Sequence, residues 1–364
     1  MTSTVEKNYE GIIGKINTFI DTLFSKNTDT ETFQRPTREQ IIKSAKTLSH
    51  EITKICLLLQ DLRAKPEFFD SIEETLDNIF SVYQGLAAYS SDSLFKSNQV
   101  HFRRLMKSVL DIFVAYKRNE ESLGEDEENI IDKQLTARAW KSCEDIEKIT
   151  IKNSIAIIER NKEISSMIQD ASEEILEFQE KLEKIKASFG QVKQDKQEDF
   201  KDEQEKQEQE DKDDDVNGEF EQDDEEAVYD LDDDLEVIEN ISQQEVAMVD
   251  RVAATIEKSL SLSKVFGDII KSNEKSKDKD DVSQDTKENV ETMEKIINLL
   301  NELSKQVDDI ASAVYPPQNL TYLESQTSDM DVEIFDIITL IKSLPFYNSI
   351  SKDLQSNLNN LIKN

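Results

Sequence analysis

The chain has 364 residues, 37% hydrophobic and 34% charged, with a formal net charge of −34. With only 7 Gly and 5 Pro it lacks the turn residues an all-β protein needs. Its negative surface repels phosphate, which argues against direct nucleic-acid binding over most of the chain and against anionic membrane surfaces. Two distant cysteines, Cys56 and Cys143, make neither a disulfide framework nor a zinc site, and both sit among apolar helical residues as expected of buried free thiols. No apolar run reaches the roughly 18 residues of a membrane span, and residues 1–10 carry no hydrophobic signal core. The default compartment is the cytosol.

In chain order, the first predicted helix covers about residues 5–24, with Ile12, Ile16, Ile20 and Leu23 on one stripe. Thr37 and Gln40 then form a capping box. The helix behind it carries Ile41, Ala45, Leu48, Ile52, Ile55, Leu59 and Leu62, an alternation of fours and threes that marks packing nearly parallel to neighbouring helices. Pro66 opens a third helix, where a missing N–H costs nothing. Its stripe is Phe69, Ile72, Leu76, Ile79, Tyr83 and Leu86. A fourth carries Phe102, Leu105, Val109, Ile112 and Tyr116. After an acidic loop at 124–129, a fifth includes Ile131, Leu135, Trp140, Cys143 and Ile146. A long helix over about 150–189 uses Ile164, Ile168, Ala171, Ile175, Phe178, Leu182, Ile185 and Phe189.

At 191–236 the composition breaks, with 23 Asp and Glu against five Lys and few apolar residues. Such a segment buries too little surface to offset its ordering entropy and is read as a disordered acidic insertion. Helical pattern returns near 235, with Val249, Val252, Ile256 and Leu260, and a polar linker covers 271–285. The next helix carries Met293, Ile296, Leu300, Leu303, Val307, Ile310 and Val314, and Pro316 and Pro317 stop it. Another uses Met330, Ile334, Ile337, Ile341 and Leu344 up to Pro345. A last one uses Ile350, Leu354, Leu358 and Leu361. The predicted fold class is all-α: antiparallel multi-helix bundles with a long disordered acidic insertion. The divisions in chain order are an N-terminal bundle at 1–190, the acidic linker at 191–236, and a C-terminal helical region at 237–364.

Motifs that carry chemistry are not found. The two histidines, His50 and His101, fit no metal-ligand spacing, and a di-iron bundle needs two Glu-x-x-His motifs. There is no phosphate-binding glycine loop: Gly11 and Gly14 lie within a helical stripe and are read as sites of close helix packing. The acidic segment lacks the spacing of an EF-hand. His101, Arg103, Arg104 and Lys107 form a small basic cluster, read as an ordinary polar helix face that could touch an acidic partner. The chain is therefore read as non-catalytic, with no cofactor and no metal.

Two stretches go beyond periodicity. One contains Trp140 and Cys143, followed by Lys152, Asn153 and an apolar run to Ile158. The other runs from Val307, Asp308, Asp309 and Ile310 through Val314 to Tyr315, Pro316 and Pro317. Together they resemble the cyclin-D-interacting protein family, GCIP, whose members carry a V-D-D-[LI]-A-x-x-[IV]-Y-P-P signature in the C-terminal third and a W-x-[AS]-C element before an Asn-led helix. The resemblance implies an all-helical adaptor that binds cyclin D-like and helix-loop-helix proteins, restrains cell-cycle progression, and resides in cytoplasm and nucleus. Physically, Val307, Ile310 and Val314 are core positions. Asp308 and Asp309 lie off that stripe, and Tyr315 with the prolines fixes the chain's exit, either as a structural corner or as a contact site.

Two other readings stand beside this one: a helical-bundle adaptor of the cytoskeletal or adhesion type, and an acidic chaperone for basic proteins. Homo-oligomerisation is left open.

Overall fold

A computed structural model describes residues 2–26, 32–59, 66–122, 133–202, 241–274 and 286–362. Among them the regular structure is helical: α1 (Thr2–Thr22), α2 (Arg38–Leu59), α3 (Pro66–Tyr89), α4 (Asp92–Ser122), α5 (Lys133–Lys148), α6 (Asn153–Asp202), α7 (Gln243–Glu274), α8 (Lys287–Ala313), α9 (Leu320–Ser343), a short 3₁₀ turn (Tyr347–Ser349) and α10 (Lys352–Asn360). The fold is the all-α, antiparallel bundle architecture expected from the periodicity. Among the described residues no helix is long and apolar enough to cross a membrane. Most of the acidic insertion, the loop at 124–129 and most of the linker at 271–285 lie outside the described residues.

Helix starts follow local chemistry. The capping box at α2 is reciprocal: Gln40 N–H donates to Thr37 Oγ1 at 3.2 Å, and Thr37 N–H donates to Gln40 Oε1 at 2.8 Å. A second box, not read from sequence, opens α7: Glu245 N–H donates to Ser242 Oγ and Ser242 N–H to Glu245 Oε2. These bonds to Ser242 pull the Glu245 carboxyl below its ordinary range, against a small opposing effect of burial. Thr286, Asn319 and Ser351 accept first-turn N–H groups at α8, α9 and α10. Pro66 begins α3 and the two prolines follow the end of α8, as expected.

The chain forms two compact units, each built from separate stretches. The first contains residues 1–161, 269–297 and 343–350. In it α1 packs on α4, α4 on α5, α5 on α2, α2 on α3, and α3 on α1, which closes a ring of five helices. The stripes of α1 to α4 predicted from sequence meet inside it: Ile12, Ile16, Ile41, Leu48, Ile72, Ile79, Phe102, Leu105 and Val109 are fully buried. Aromatic rings fill one layer, where Tyr9 meets Phe69 edge-on at 4.7 Å and Tyr83 lies 5.0 Å from Phe102.

The second unit contains residues 162–268, 298–342 and 351–364. Ser165 and Gln179 of α6 pair with Ser263 and Asp250 of α7, the reversed order of an antiparallel pair. Arg251 and Lys258 of α7 pair with Ser328 and Asp331 of α9, and Gln306 of α8 pairs with Glu333 of α9. Tyr315, just beyond α8, returns to α6 through Glu174 and Phe178. Four helices thus close a second ring around Ile168, Ile175, Val252, Ile256, Leu303, Val307, Met330 and Ile337, all buried. Small hydroxyls enter this core. Ser259 and Thr327 are fully buried, and each donates to the carbonyl four residues earlier, so no lone donor remains.

Three sequence expectations change. Trp140 is not on the core stripe of α5: the buried face is Thr136, Ala139, Cys143 and Ile146, and Trp140 sits about 100° round the helix and is 41% exposed. Gly11 and Gly14 are not tight packing sites, because both are exposed and a Cβ at Gly14 would meet nothing within 4 Å. The crowded glycine is Gly85 of α3, where a Cβ would lie 3.0 Å from Pro36 and closer still to the Gln34 carbonyl oxygen. Ile350 lies before α10 and not inside it, after the 3₁₀ turn that follows Pro345. In α6, the stripe from Ile164 to Leu182 is buried as predicted; Ile185 and Phe189 lie outside the described side chains.

Candidate functional site

The signature residues fall in two places, three in the first unit and six in the second. Cys143 is buried in α5, and its thiol is pushed up to about 12, chiefly by desolvation and secondarily by the nearby Glu147 carboxylate. At neutral pH it stays a thiol and packs as a small apolar group. Cys56 of α2 is likewise buried and free, and it accepts a hydrogen bond from Thr136 Oγ1 at 3.3 Å. Trp140 reaches α2, where its Nε1–H donates to Thr53 Oγ1 at 3.0 Å. The W-x-[AS]-C element therefore docks α5 on α2: Cys143 faces the core and Trp140 closes the rim.

Asn153 opens α6 and is buried. Its Oδ1 accepts the Ser91 backbone N–H at 2.5 Å, and its Nδ2 donates to the Tyr89 carbonyl at 3.2 Å. One side chain thus satisfies the last residue of α3 and the residue before α4. Beside it the Lys152 ammonium, with its side chain only 3% exposed, pairs with Glu274 at 3.2 Å, and Ser154 Oγ donates to the other Glu274 oxygen at 2.6 Å. Glu294 of α8 accepts the Ser93 N–H in the first turn of α4. Sequence reading found Asn153 and Lys152. It missed Ser91, Glu274 and Glu294, whose roles depend on partners from 62 to 201 residues away.

In the second unit Val307 is buried, and Asp308 and Asp309 are exposed, as their positions on the helix predict. The Tyr315 ring lies 4.6 Å from the Phe178 ring at a 48° tilt, and its hydroxyl donates to Glu174 at 3.0 Å. Its phenol is pushed up to about 12, first by burial and then by Glu174 and Glu177. Pro316 and Pro317 are joined by a cis peptide. Gln318 closes the corner by donating its side-chain amide to the Val314 carbonyl at 2.6 Å. Asn319 then caps α9. Of the six, only the two aspartates and parts of Tyr315 and the prolines face outward; the stretch as a whole builds the α8–α9 corner.

Two family models match the chain: "Grap2 and cyclin-D-interacting, N-terminal" over residues 40–181, and its C-terminal counterpart over residues 208–339. Together they cover most of the chain. The chain belongs to the Grap2 and cyclin-D-interacting protein family. No curated protein matches it. The family is one of protein interaction, so the relevant sites are surfaces.

Exposed large apolar side chains mark the surfaces of this family member. On α9, Val332 is 63% and Phe335 53% exposed, one turn apart, with Asp331 and Asp336 beside them. In the first unit Phe24, Leu57, Val100 and Trp140 are exposed. A cavity of about 420 Å³ in the same unit is lined by Arg38, His101 and Lys148 as well as Asp145 and Glu159, and its mixed signs favour no single charge. Among the described residues no group of three or more His, Cys, Asp or Glu is placed to hold a metal ion.

Proposed function

We propose that this protein is a non-catalytic regulator that binds cyclin D-like and helix-loop-helix proteins and restrains cell-cycle progression, working in cytoplasm and nucleus. The observation that carries the reading is the pair of family matches, one to each half of the chain. The fold supports it through physics: closed helical rings with buried stripes leave the outward helix faces free for a partner. Recognition there is helix against helix, with an apolar pair such as Val332 and Phe335 as anchor and surrounding carboxylates setting register. Inhibition is stoichiometric, because a partner held on such a face is withheld from its own complexes.

The test is affinity purification of the tagged full-length protein from growing cells, with mass spectrometry of co-eluting proteins. A cyclin or helix-loop-helix factor in near-stoichiometric yield supports the reading. Recovery of neither under mild salt overturns it.

A further inference from the structure

The solvent face of α4 differs from the exposed faces of the neighbouring helices. Lys96, Arg103, Arg104, Lys107 and Arg118 are all exposed. At 100° per residue they fall within one sector roughly a quarter of the helix circumference wide. The stripe runs about 33 Å along the helix at 1.5 Å per residue. Between Lys96 and Arg118 one carboxylate, Asp111, shares it. Among the described residues none of the five cations makes an ion pair, a trait shared with scattered exposed cations such as Arg138 of α5 and Lys162 of α6; what distinguishes α4 is that five of them line one sector.

Like charges three and four residues apart on a helix repel and destabilise it. Among the described residues no ion pair offsets that repulsion, in a chain whose net charge is −34. The stripe also carries an apolar point. Val100 is exposed in its N-terminal half, and the Arg103 guanidinium lies 5.0 Å above the exposed Phe24 ring. Phe24 is held there because the carbonyl of Leu23 accepts both the Tyr83 hydroxyl and the Gln99 amide.

We propose that this face of α4 is a docking surface for an acidic polypeptide segment of a partner protein, whose carboxylates pair with the stripe and whose apolar side chain sits on Val100 and Phe24. Charge complementarity selects an anion, and the apolar point selects a polypeptide over nucleic acid. A long phosphate backbone would also extend past the stripe into the repulsion of the surrounding acidic surface. The inference rests on the α4 surface alone and does not depend on the partners suggested by the family.

The test uses the full-length protein and a fluorescent amphipathic peptide of roughly 20 residues, Glu-rich on its flanks and with Leu at helical spacing on one face. Anisotropy should show binding that weakens as salt rises from about 50 to about 300 mM. The variant R103E/R104E/K107E should lose about tenfold or more in affinity, and V100S about threefold, while the control K141E/K305E keeps it. All these side chains are exposed, so the helical circular dichroism of each variant should match the parent, with only small shifts in melting from the altered charge pairs. Equal losses in triple variant and control would overturn the proposal. So would a single-stranded DNA of equal charge binding as tightly as the peptide. A change in self-association of the triple variant, with peptide binding intact, would assign the face to a second copy and overturn it as well.

Discussion

The Glu294 carboxylate accepts the Ser93 backbone N–H at 2.8 Å, although 201 residues separate them in the chain. Both are buried. Ser93 lies in the first turn of α4, where N–H groups have no partner within the helix and the helix dipole favours negative charge. Ser91 Oγ takes the Leu94 N–H, and Asn153 takes the N–H of Ser91 itself. The start of α4 is thus satisfied by side chains from two other helices. Replacing Asn153 by Ala would remove the acceptor of the buried Ser91 N–H and the side-chain donor to the Tyr89 carbonyl, at a cost of about 2–3 kcal/mol. For Glu294, Gln should cost about 1 kcal/mol because it keeps an acceptor, and Ala about 2 kcal/mol or more. Urea unfolding of the three variants checks this ranking; equal stability of E294Q and E294A would refute it.

The Lys152–Glu274 pair should behave as a buried ion pair. Removing Glu274 takes a carboxylate partner from an ammonium whose side chain is only 3% exposed, and E274A is expected to lose about 3 kcal/mol. The double variant K152M/E274L removes both charges and should recover most of that loss. A double-mutant cycle measured by chemical denaturation gives the coupling directly. A double variant as unstable as the sum of its parts would show that the two side chains act independently.

Gly85 is predicted to be the least replaceable of the helical glycines at 11, 14 and 85. An added Cβ would collide with the Gln34 carbonyl, a backbone atom, and with the Pro36 ring. G85A should lose about 1–3 kcal/mol through displacement of the segment before α2. G14A meets open space and should gain a few tenths to about 1 kcal/mol from helix propensity. Thermal melts of the two variants should therefore move in opposite directions.

Tyr315 supplies a dependence on alkaline pH. Its folded phenol titrates at about 12, against an ordinary value of 10, so the folded state holds the proton more tightly. The stability this contributes is fully present below pH 10 and is lost as pH rises toward 12. Tyr83 shifts in the same direction through burial, so it adds to the fall. Y315F should shrink the loss between pH 10 and 12 while costing no more than about 1 kcal/mol at pH 7, the value of one hydrogen bond near the surface. Denaturation midpoints at pH 8 and at pH 11 are the measurement; an unchanged difference in Y315F would contradict it.

The sequence by itself determined the helices and their buried faces, because both obey the local 3.6-residue period. Ile41 to Ile55 and Leu300 to Val314 are buried where spacing placed them. Thr37 with Gln40 and the proline stops were legible for the same reason, since every partner lies within a few residues. The 307–317 stretch was specific enough to indicate the family. Tertiary structure alone decided how the faces were used. Trp140 stands at the rim because α5 turns Ala139 and Cys143 inward, and one residue's rotation separates rim from core. Gly85 is crowded, and not Gly14, because the 34–36 segment crosses α3 at that point. Glu294, Asn153 and Glu274 became structural because packing brought α4 and the start of α6 to them. The basic cluster on α4 was visible as residues, but that it makes no ion pair among the described residues is a property of the assembled surface. Such relations join residues tens to hundreds apart, and the sequence pattern of a helix carries no record of which neighbour its faces meet.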